Sequence, residues 1–432
     1  MKKTSTLILN LLMASGIFST ISIAKGKKKN KPKKIIASYI PLYEKWKAED
    51  IQGYKLTDAI IAFAKFDENN RISFDKYNQT ELEEVKRLTN LYPHLNISLS
   101  IGGWGVTEFS EVAASEELRA LFISDCIELL ETYNMNGIDI DWEYPVGENW
   151  LPDVDRSWND KVNFTKLIRE FRAELDKLEK INGKEYILSY ASGINEWAIT
   201  NLEYKEVFQL VDRINLMGYS YEGSWSTRTG HASALYPYSS SSYYSLNSSD
   251  AVELFIKYGA KKDKLILGVP FFSQDWYGVN NVNNGLGQKF KGSNNLNMGY
   301  TKLKNEFINK NGFIRHWDDE AKVPYLFNSD MFISYDDEES ICYKANYVLK
   351  KNLGGIMSWQ YLQDRSGDLL KVINEILNSS YNEWKAETSY KKDDIVLHNC
   401  IEYRCLADHK SLINWAPNKA NTLWTIVSKN KH

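Results

Sequence analysis

The chain has 432 residues and a formal charge of −3, with 43% hydrophobic, 25% charged and 13% aromatic residues, including 13 Trp and 27 Tyr. This is the composition of an ordinary soluble protein, long enough for one large domain and a small one. Without Lys2 and Lys3 the charge is −5, and without the seven lysines of residues 25–34 it is −12, so the folded body should repel nucleic acid rather than bind it.

Residues 1–24 read as a signal peptide. Lys2 and Lys3 are followed by an apolar stretch from Leu7 to Ile23, interrupted by Asn10, Ser15 and Ser19, and Ser22-Ile23-Ala24 offers a small-x-small cleavage site. The stretch is too short and too polar for a membrane-spanning helix, and no Cys lies near the cleavage site to carry a lipid anchor. A secreted protein is expected, extracellular or periplasmic, with a mature chain beginning near Lys25. Residues 25–33 form a basic, disordered tail in this reading; attraction to an anionic envelope is the alternative.

From residue 34 onward, short apolar runs alternate with helical patterns. The runs are Ile35–Ile40, Ala59–Phe66, Asn96–Gly103, Gly137–Glu143, Tyr186–Ser192, Arg213–Tyr219, Leu265–Phe272 and Gly354–Gln360. Helical patterns include Glu81–Leu91, Glu116–Tyr133, Asn159–Glu179, Asp250–Tyr258 and Glu338–Lys351. Eight strands alternating with helices predict an α/β fold, the (β/α)8 TIM barrel, over residues 34–378. The unusual residues end those strands, where the fold places its chemistry: Gly102-Gly103-Trp104, Glu143-Tyr144, Met217–Tyr219 and Trp359. Residues 273–335 are too many for a plain crossover and predict a small α+β insertion before strand 8, walling one side of a cleft. Residues 381–432 carry Trp and Tyr among charges and short strand runs (Ile395–His398, Ile401–Leu406). They predict a small C-terminal all-β module.

The most informative stretch is 136–145, Asn-Gly-Ile-Asp-Ile-Asp-Trp-Glu-Tyr-Pro. Alternation puts Asp139, Asp141 and Glu143 on one side of a strand and Ile138, Ile140 and Trp142 on the other. The neighbouring strands are apolar on both sides, so the acids face a protein interior. Same-side neighbours sit roughly 6.6 Å apart along a strand. Carboxylates that crowded and buried cannot all ionise at neutral pH, so at least one proton is held or shared. A carboxylic acid protonated near neutrality is what glycoside hydrolysis needs to protonate a leaving oxygen. A solvated acidic strand does not explain the apolar residues opposite, and a hard-cation site would recruit further oxygen ligands.

Other chemistries find little support. His94, His231, His316, His398, His409 and His432 lack zinc-type spacing, and Gly285-Leu286-Gly287 lacks the rest of a phosphate-cradling pattern. No metal and no cofactor is expected. Cys126 and Cys342 fall in helical patterns and read as core thiols. Cys400 and Cys405 flank a predicted hairpin and are poorly placed to bond each other, so no disulfide is assigned.

These motifs together resemble the chitinases of glycoside hydrolase family 18 over roughly residues 34–377. That family's Asp-x-x-Asp-x-Asp-x-Glu stands here as Asn136, Asp139, Asp141 and Glu143. Its Ser-x-Gly-Gly appears as Ser100-Ile101-Gly102-Gly103, its Met-x-Tyr-Asp as Met217-Gly218-Tyr219-Ser220, and its last-strand Trp as Trp359. Ser220 replaces the usual Asp, and Gln274 stands where relatives often have Arg. The tail resembles the small carbohydrate-binding modules of families 5 and 12 through Trp384, Tyr390, Asp393 or Asp394, Val396, Tyr403, Trp415, Pro417 and Trp424. Ala407, Asp408 and His409 occupy a region where some members carry an exposed aromatic pair. Trp415, then Tyr403, are the expected stacking residues; Trp384 and Trp424 read as core.

The resemblance implies substrate-assisted hydrolysis of β-1,4-linked N-acetylglucosamine polymers with retention. Glu143 would protonate the glycosidic oxygen while the substrate's 2-acetamido oxygen attacks C1. Asp141 would orient the acetamido N–H, Asp139 would share a proton with Asp141, Tyr219 would donate to the acetamido carbonyl, and Trp359 would floor the distorted sugar. The shared proton and like-charge crowding would raise the pKa of Glu143, and Ser220 would weaken that push. Further substrate contacts are expected from Tyr39, Phe63, Gly103, Trp104, Tyr144, Met217, Ser220 and Trp225. The partners implied are chitin or chito-oligosaccharides, with neither nucleic acid nor stable membrane insertion, and the chain would act as a monomer. The rivals are an endo-β-N-acetylglucosaminidase acting on glycoproteins and a chitin-binding lectin on the same barrel. Such lectins lose the catalytic Glu, which is present here as Glu143.

Overall fold

The computed structural model describes residues 34–74, 79–147, 156–240, 246–378 and 382–427. The predicted signal peptide and basic tail lie outside these residues. Eight strands pair in parallel: Ile35–Pro41, Asp58–Phe66, Asn96–Gly102, Gly137–Asp141, Ile187–Ser192, Arg213–Leu216, Leu265–Pro270 and Gly355–Trp359. The first strand pairs with both the second and the last, which closes the barrel. Near-continuous apolar runs suit this arrangement, because each strand is covered on the outside by helices and on the inside by the other strands.

The two faces of the fourth strand separate as alternation requires. Ile138, Ile140 and Trp142 point outward into the main core beneath the helices. There Trp142 stacks on Phe109 with ring centroids 5.2 Å apart. The inner face looks into a smaller cluster formed by Tyr39, Ile60, Phe63, Met357 and their neighbours, against which Met217, Tyr219 and Trp359 pack. Asn136 sits at the opposite end of that strand. Its side chain accepts from the Ile97 amide at 2.8 Å and donates to Asn96 at 3.0 Å, so it staples the third and fourth strands together at the barrel base, away from the acids.

Between the seventh and eighth barrel strands the chain builds an antiparallel sheet of Ile314–Asp318, Val323–Phe327, Phe332–Ser334 and Gln274–Trp276, with the helix Tyr300–Glu306. Trp276, Tyr325, Phe327 and Phe332 fill its core. A fully buried ion pair anchors it to the barrel: Lys344 Nζ donates to both oxygens of Asp336 at 2.7 Å.

The C-terminal module is a small sheet of Asn382–Glu383, Ile395–His398, Ile401–Cys405 and Trp424–Ile426 around Tyr390, Val396, Tyr403, Cys405 and Trp424. Tyr403 was expected to stack on sugar; its place in this core rules that out, because a ring buried to 5% exposure has no free face. Trp415 is 40% exposed. The cysteine reading is also corrected. Cys342 is not a core thiol: it is disulfide-bonded to Cys400, while Cys126 and Cys405 are free and buried. The sequence reading weighed only the Cys400–Cys405 pairing, whereas the bond joins partners 58 residues apart.

Candidate active site

The site grows from the fourth strand's inner edge. Asp139 pairs in register with Ser100 on the third strand and Ser189 on the fifth. In a parallel sheet such partners project to the same side, and both hydroxyls accordingly donate to Asp139, at 2.8 and 2.6 Å. Tyr39 adds a third donor at 2.9 Å and Asn215 a fourth at 3.0 Å. Burial raises the pKa of Asp139, and these donors oppose the rise. Four donors are the partners of a carboxylate, and both Asp139 oxygens are engaged by them. Asp139 makes its hydrogen bonds to these four donors and none to Asp141, whose pKa the Asp139 charge helps to raise.

Asp141 is buried, and its Oδ1 has no hydrogen-bond partner. Its pKa stands well above the usual carboxylate range, first through burial, then through the charges of Glu143 and Asp139. Glu143 lies one step nearer the opening, half-buried. Burial pushes it up to about 7, and a hydrogen bond from the Tyr144 hydroxyl partly offsets that rise. Desolvation, rather than like-charge crowding, is therefore the main cause at Glu143, and the crowding falls on Asp141. The phenol of Tyr219 is held protonated by burial and by the charges of Asp141, Glu143 and Asp139, which leaves it a hydrogen-bond donor.

Glycine geometry lets the third strand close against this row. Gly102 has φ of 116°, and a Cβ there would lie 2.2 Å from the Asp141 carbonyl oxygen; a Cβ on Gly103 would lie 2.7 Å from the Phe63 ring. Across the mouth, Trp359 stacks on Phe63 with centroids 5.5 Å apart and meets Tyr39 at 5.3 Å.

These groups line a cleft of about 1140 Å³. Of the predicted contacts, Phe63, Gly103, Trp104, Tyr144, Met217, Ser220, Trp225 and Trp359 reach it, as do Asp141, Glu143 and Tyr219. Trp104 and Trp225 stand at its rim, 62% and 64% exposed. Two residues do not reach it. Asp139 lies below, and Tyr39, expected to touch substrate, is 1% exposed and spends its hydroxyl on Asp139. Sequence reading missed Ser189 and Asn215 as partners of Asp139, although their inward register on the fifth and sixth strands was a usable signal. It also missed the polar wall formed by Gln360, Gln363 and Asn297, whose insertion and loop positions carry no period. Among the described residues, no group of three or more His, Cys, Asp and Glu side chains is placed to hold a metal.

A parallel barrel with an inward acid row and an aromatic floor at its C-terminal mouth has the form of a glycoside-cleaving site. The family model of glycosyl hydrolases family 18 matches residues 35–364, and that of carbohydrate-binding module family 5/12 matches residues 383–425. Chitinase A1 of Niallia circulans is 35% identical over 303 residues, covering 67% of this chain and 43% of the relative's length. Mouse chitotriosidase-1 is 32% identical over 320 residues, covering 72% of this chain and 67% of that protein. Among solved structures, a family 18 N-acetylglucosaminidase from Paenibacillus barengoltzii superposes with a TM-score of 0.74 at 36% identity, covering 79% of this chain and 99% of the other. The chain belongs to glycosyl hydrolases family 18. It spans less than half the length of its bacterial relative, chitinase A1.

Proposed function

We propose that the chain is a chitinase that hydrolyses β-1,4-linked N-acetylglucosamine polymers with retention, using the substrate's own acetamido group as nucleophile. One observation carries the reading: the unpartnered, buried Asp141 Oδ1 beside Glu143 in a sugar-sized cleft. An orphaned buried acceptor is costly, and an acetamido N–H would satisfy it. The N–H so held sets its carbonyl oxygen against C1 and shares the positive charge that develops as the oxazolinium ring closes. Glu143 gives its proton to the departing oxygen, then takes one from the water that opens the ring. Tyr219 donates to the acetamido oxygen, and Trp359 lies under the sugar's apolar face. Asp139, held by four donors, is a positioning residue. The acetamido oxygen is already tethered to the reacting ring, so its attack draws on a large effective molarity.

The named relatives are chitinases, and the second domain matches a carbohydrate-binding module, which supports an insoluble polymer as substrate. The Cys342–Cys400 bond supports export to an oxidising compartment, where disulfides persist. Among the described residues, no helix is long and apolar enough to cross a membrane.

A second reading has one observation in its favour: a structural relative is an N-acetylglucosaminidase. Release of single sugars from chain ends is then the activity. The product pattern from a chito-hexamer separates the two, dimers and longer products supporting the chitinase and monomers alone the alternative. In either case the fully de-N-acetylated hexamer should not be cleaved, and its cleavage would refute the acetamido nucleophile.

A further inference from the structure

The module meets the barrel through more than its covalent connection after Asn378. Cys342 lies in the first half of helix Glu338–Lys351, which leads into the last barrel strand, and bonds to Cys400 with Cα atoms 5.8 Å apart. Cys400 and Asn399 form the turn of the hairpin Ile395–His398 and Ile401–Cys405. Around this bond, Asn346 Nδ2 reaches both sulfurs, at 3.4 and 3.5 Å. Leu397 enters the barrel's main apolar core, and Cys400 packs against it. Toward the other end of the helix, Lys350 pairs with Glu383 at 2.8 Å. The insertion meets the same spot: the Tyr343 ring lies 5.7 Å from Trp317 and 5.2 Å from the Lys322 ammonium, while the Tyr343 hydroxyl points at the Asn399 carbonyl.

The module's exposed apolar residues lie elsewhere. Leu412, Ile413 and Trp415 cluster at a single turn, and Ile395, Leu406 and Ile426 are exposed singly. The Trp415 carbonyl accepts from Trp424 Nε1 at 3.1 Å, and Trp424 pairs with Cys405. Cys405 is five residues up the strand from Cys400, roughly 17 Å away at an extended rise. The clamp therefore grips one end of the hairpin, and the Trp415 indole, 40% exposed and 6.4 Å from the His409 ring, lies toward the other.

A module on one flexible tether searches a volume set by the tether, whereas a second covalent attachment fixes its offset. We infer that the Cys342–Cys400 bond locks barrel and module into one rigid body, so that the Trp415 turn is held at a fixed offset from the Glu143 cleft while the enzyme works on a solid polymer. This rests on the proposed chitinase activity for the identity of the polymer. The lock itself does not depend on that activity, and Cys342 and Cys400 act only as positioning residues.

The test compares the full wild-type chain with Cys342→Ser/Cys400→Ser. Thiol labelling of denatured, unreduced wild type should modify two cysteines; four would overturn the proposal. In solution scattering the variant should show a larger maximum dimension, and an unchanged profile would overturn the lock. Turnover of a soluble chito-hexamer should stay within about twofold, while hydrolysis of crystalline chitin should fall about threefold or more. Equal losses on both substrates, or none on the solid, would contradict the inference. If the variant fails to fold, phosphine reduction of folded wild type gives the same three readouts. Inactivity of both proteins on the hexamer would sink the chitinase reading, while thiol count and scattering would still decide the lock.

Discussion

The barrel mouth and the C-terminal module both concentrate aromatic side chains, yet they use them in opposite ways. At the mouth, Trp359 and Phe63, with Tyr39 beneath them, pack into a wall that helps to bury three carboxyl groups. In the module, Trp424, Tyr403 and Tyr390 make the core, and Trp415 is left outside. An aromatic in the first setting changes the chemistry of its neighbours by removing water. One in the second supplies only a flat apolar face for contact. Substitutions at the mouth should therefore alter rate constants and pH dependence, and those in the module only adhesion to a solid.

The largest effect expected is at Glu143, the proposed proton donor. Glu143→Gln should lower kcat by about 10²–10⁴-fold while chito-oligomer binding, measured by calorimetry, persists; full activity would remove Glu143 from the mechanism. Asp141→Asn comes next. It keeps the shape but replaces the acceptor charge, and should cost about 10²–10³-fold in kcat with little change in KM. A pure KM effect would mean that Asp141 only binds.

The pH dependence follows from the sign of the shift. Glu143 acts as an acid while protonated, so with its pKa pushed up to about 7, kcat/KM should fall as pH rises through that value. The stability linkage has the same direction. A folded-state pKa above the unfolded one favours the native state below the unfolded pKa, and that advantage is lost as pH rises through about 7. Glu143→Gln should melt near the wild-type temperature at pH 4 and about 2–4 °C higher at pH 8. A pH-independent difference in melting temperature would show that Glu143 is not desolvated. Because burial is the main cause of its shift, Ser220→Asp should move the alkaline limb of the profile only modestly upward. The smallest effect is in the module: Trp415→Ala should weaken adsorption to crystalline chitin by about 1–2 kcal/mol and leave soluble-oligomer kinetics unchanged.

Much of the barrel was legible because parallel strands, buried on both faces, leave runs that helices cannot imitate at that spacing. The acid row was legible for the opposite reason, since Asp139, Asp141 and Glu143 break an apolar pattern at period two. What alternation does not encode is depth. Tyr39 and Phe63 both sit on inward positions of adjacent strands, yet one is sealed under the cleft and the other lines it. Tyr403 was misplaced in the same way. Gln360, Gln363 and the Cys342–Cys400 bond depend on how loops and a distant module fold back, and no local pattern records that.

Retention through the acetamido group is tested most directly by the anomeric form of the first product. Proton NMR of a chito-oligomer digest, taken before mutarotation, should show the new reducing end as the β anomer. An α anomer at the earliest times would mean that water attacks C1 directly, leaving the orphan oxygen of Asp141 without the role assigned to it.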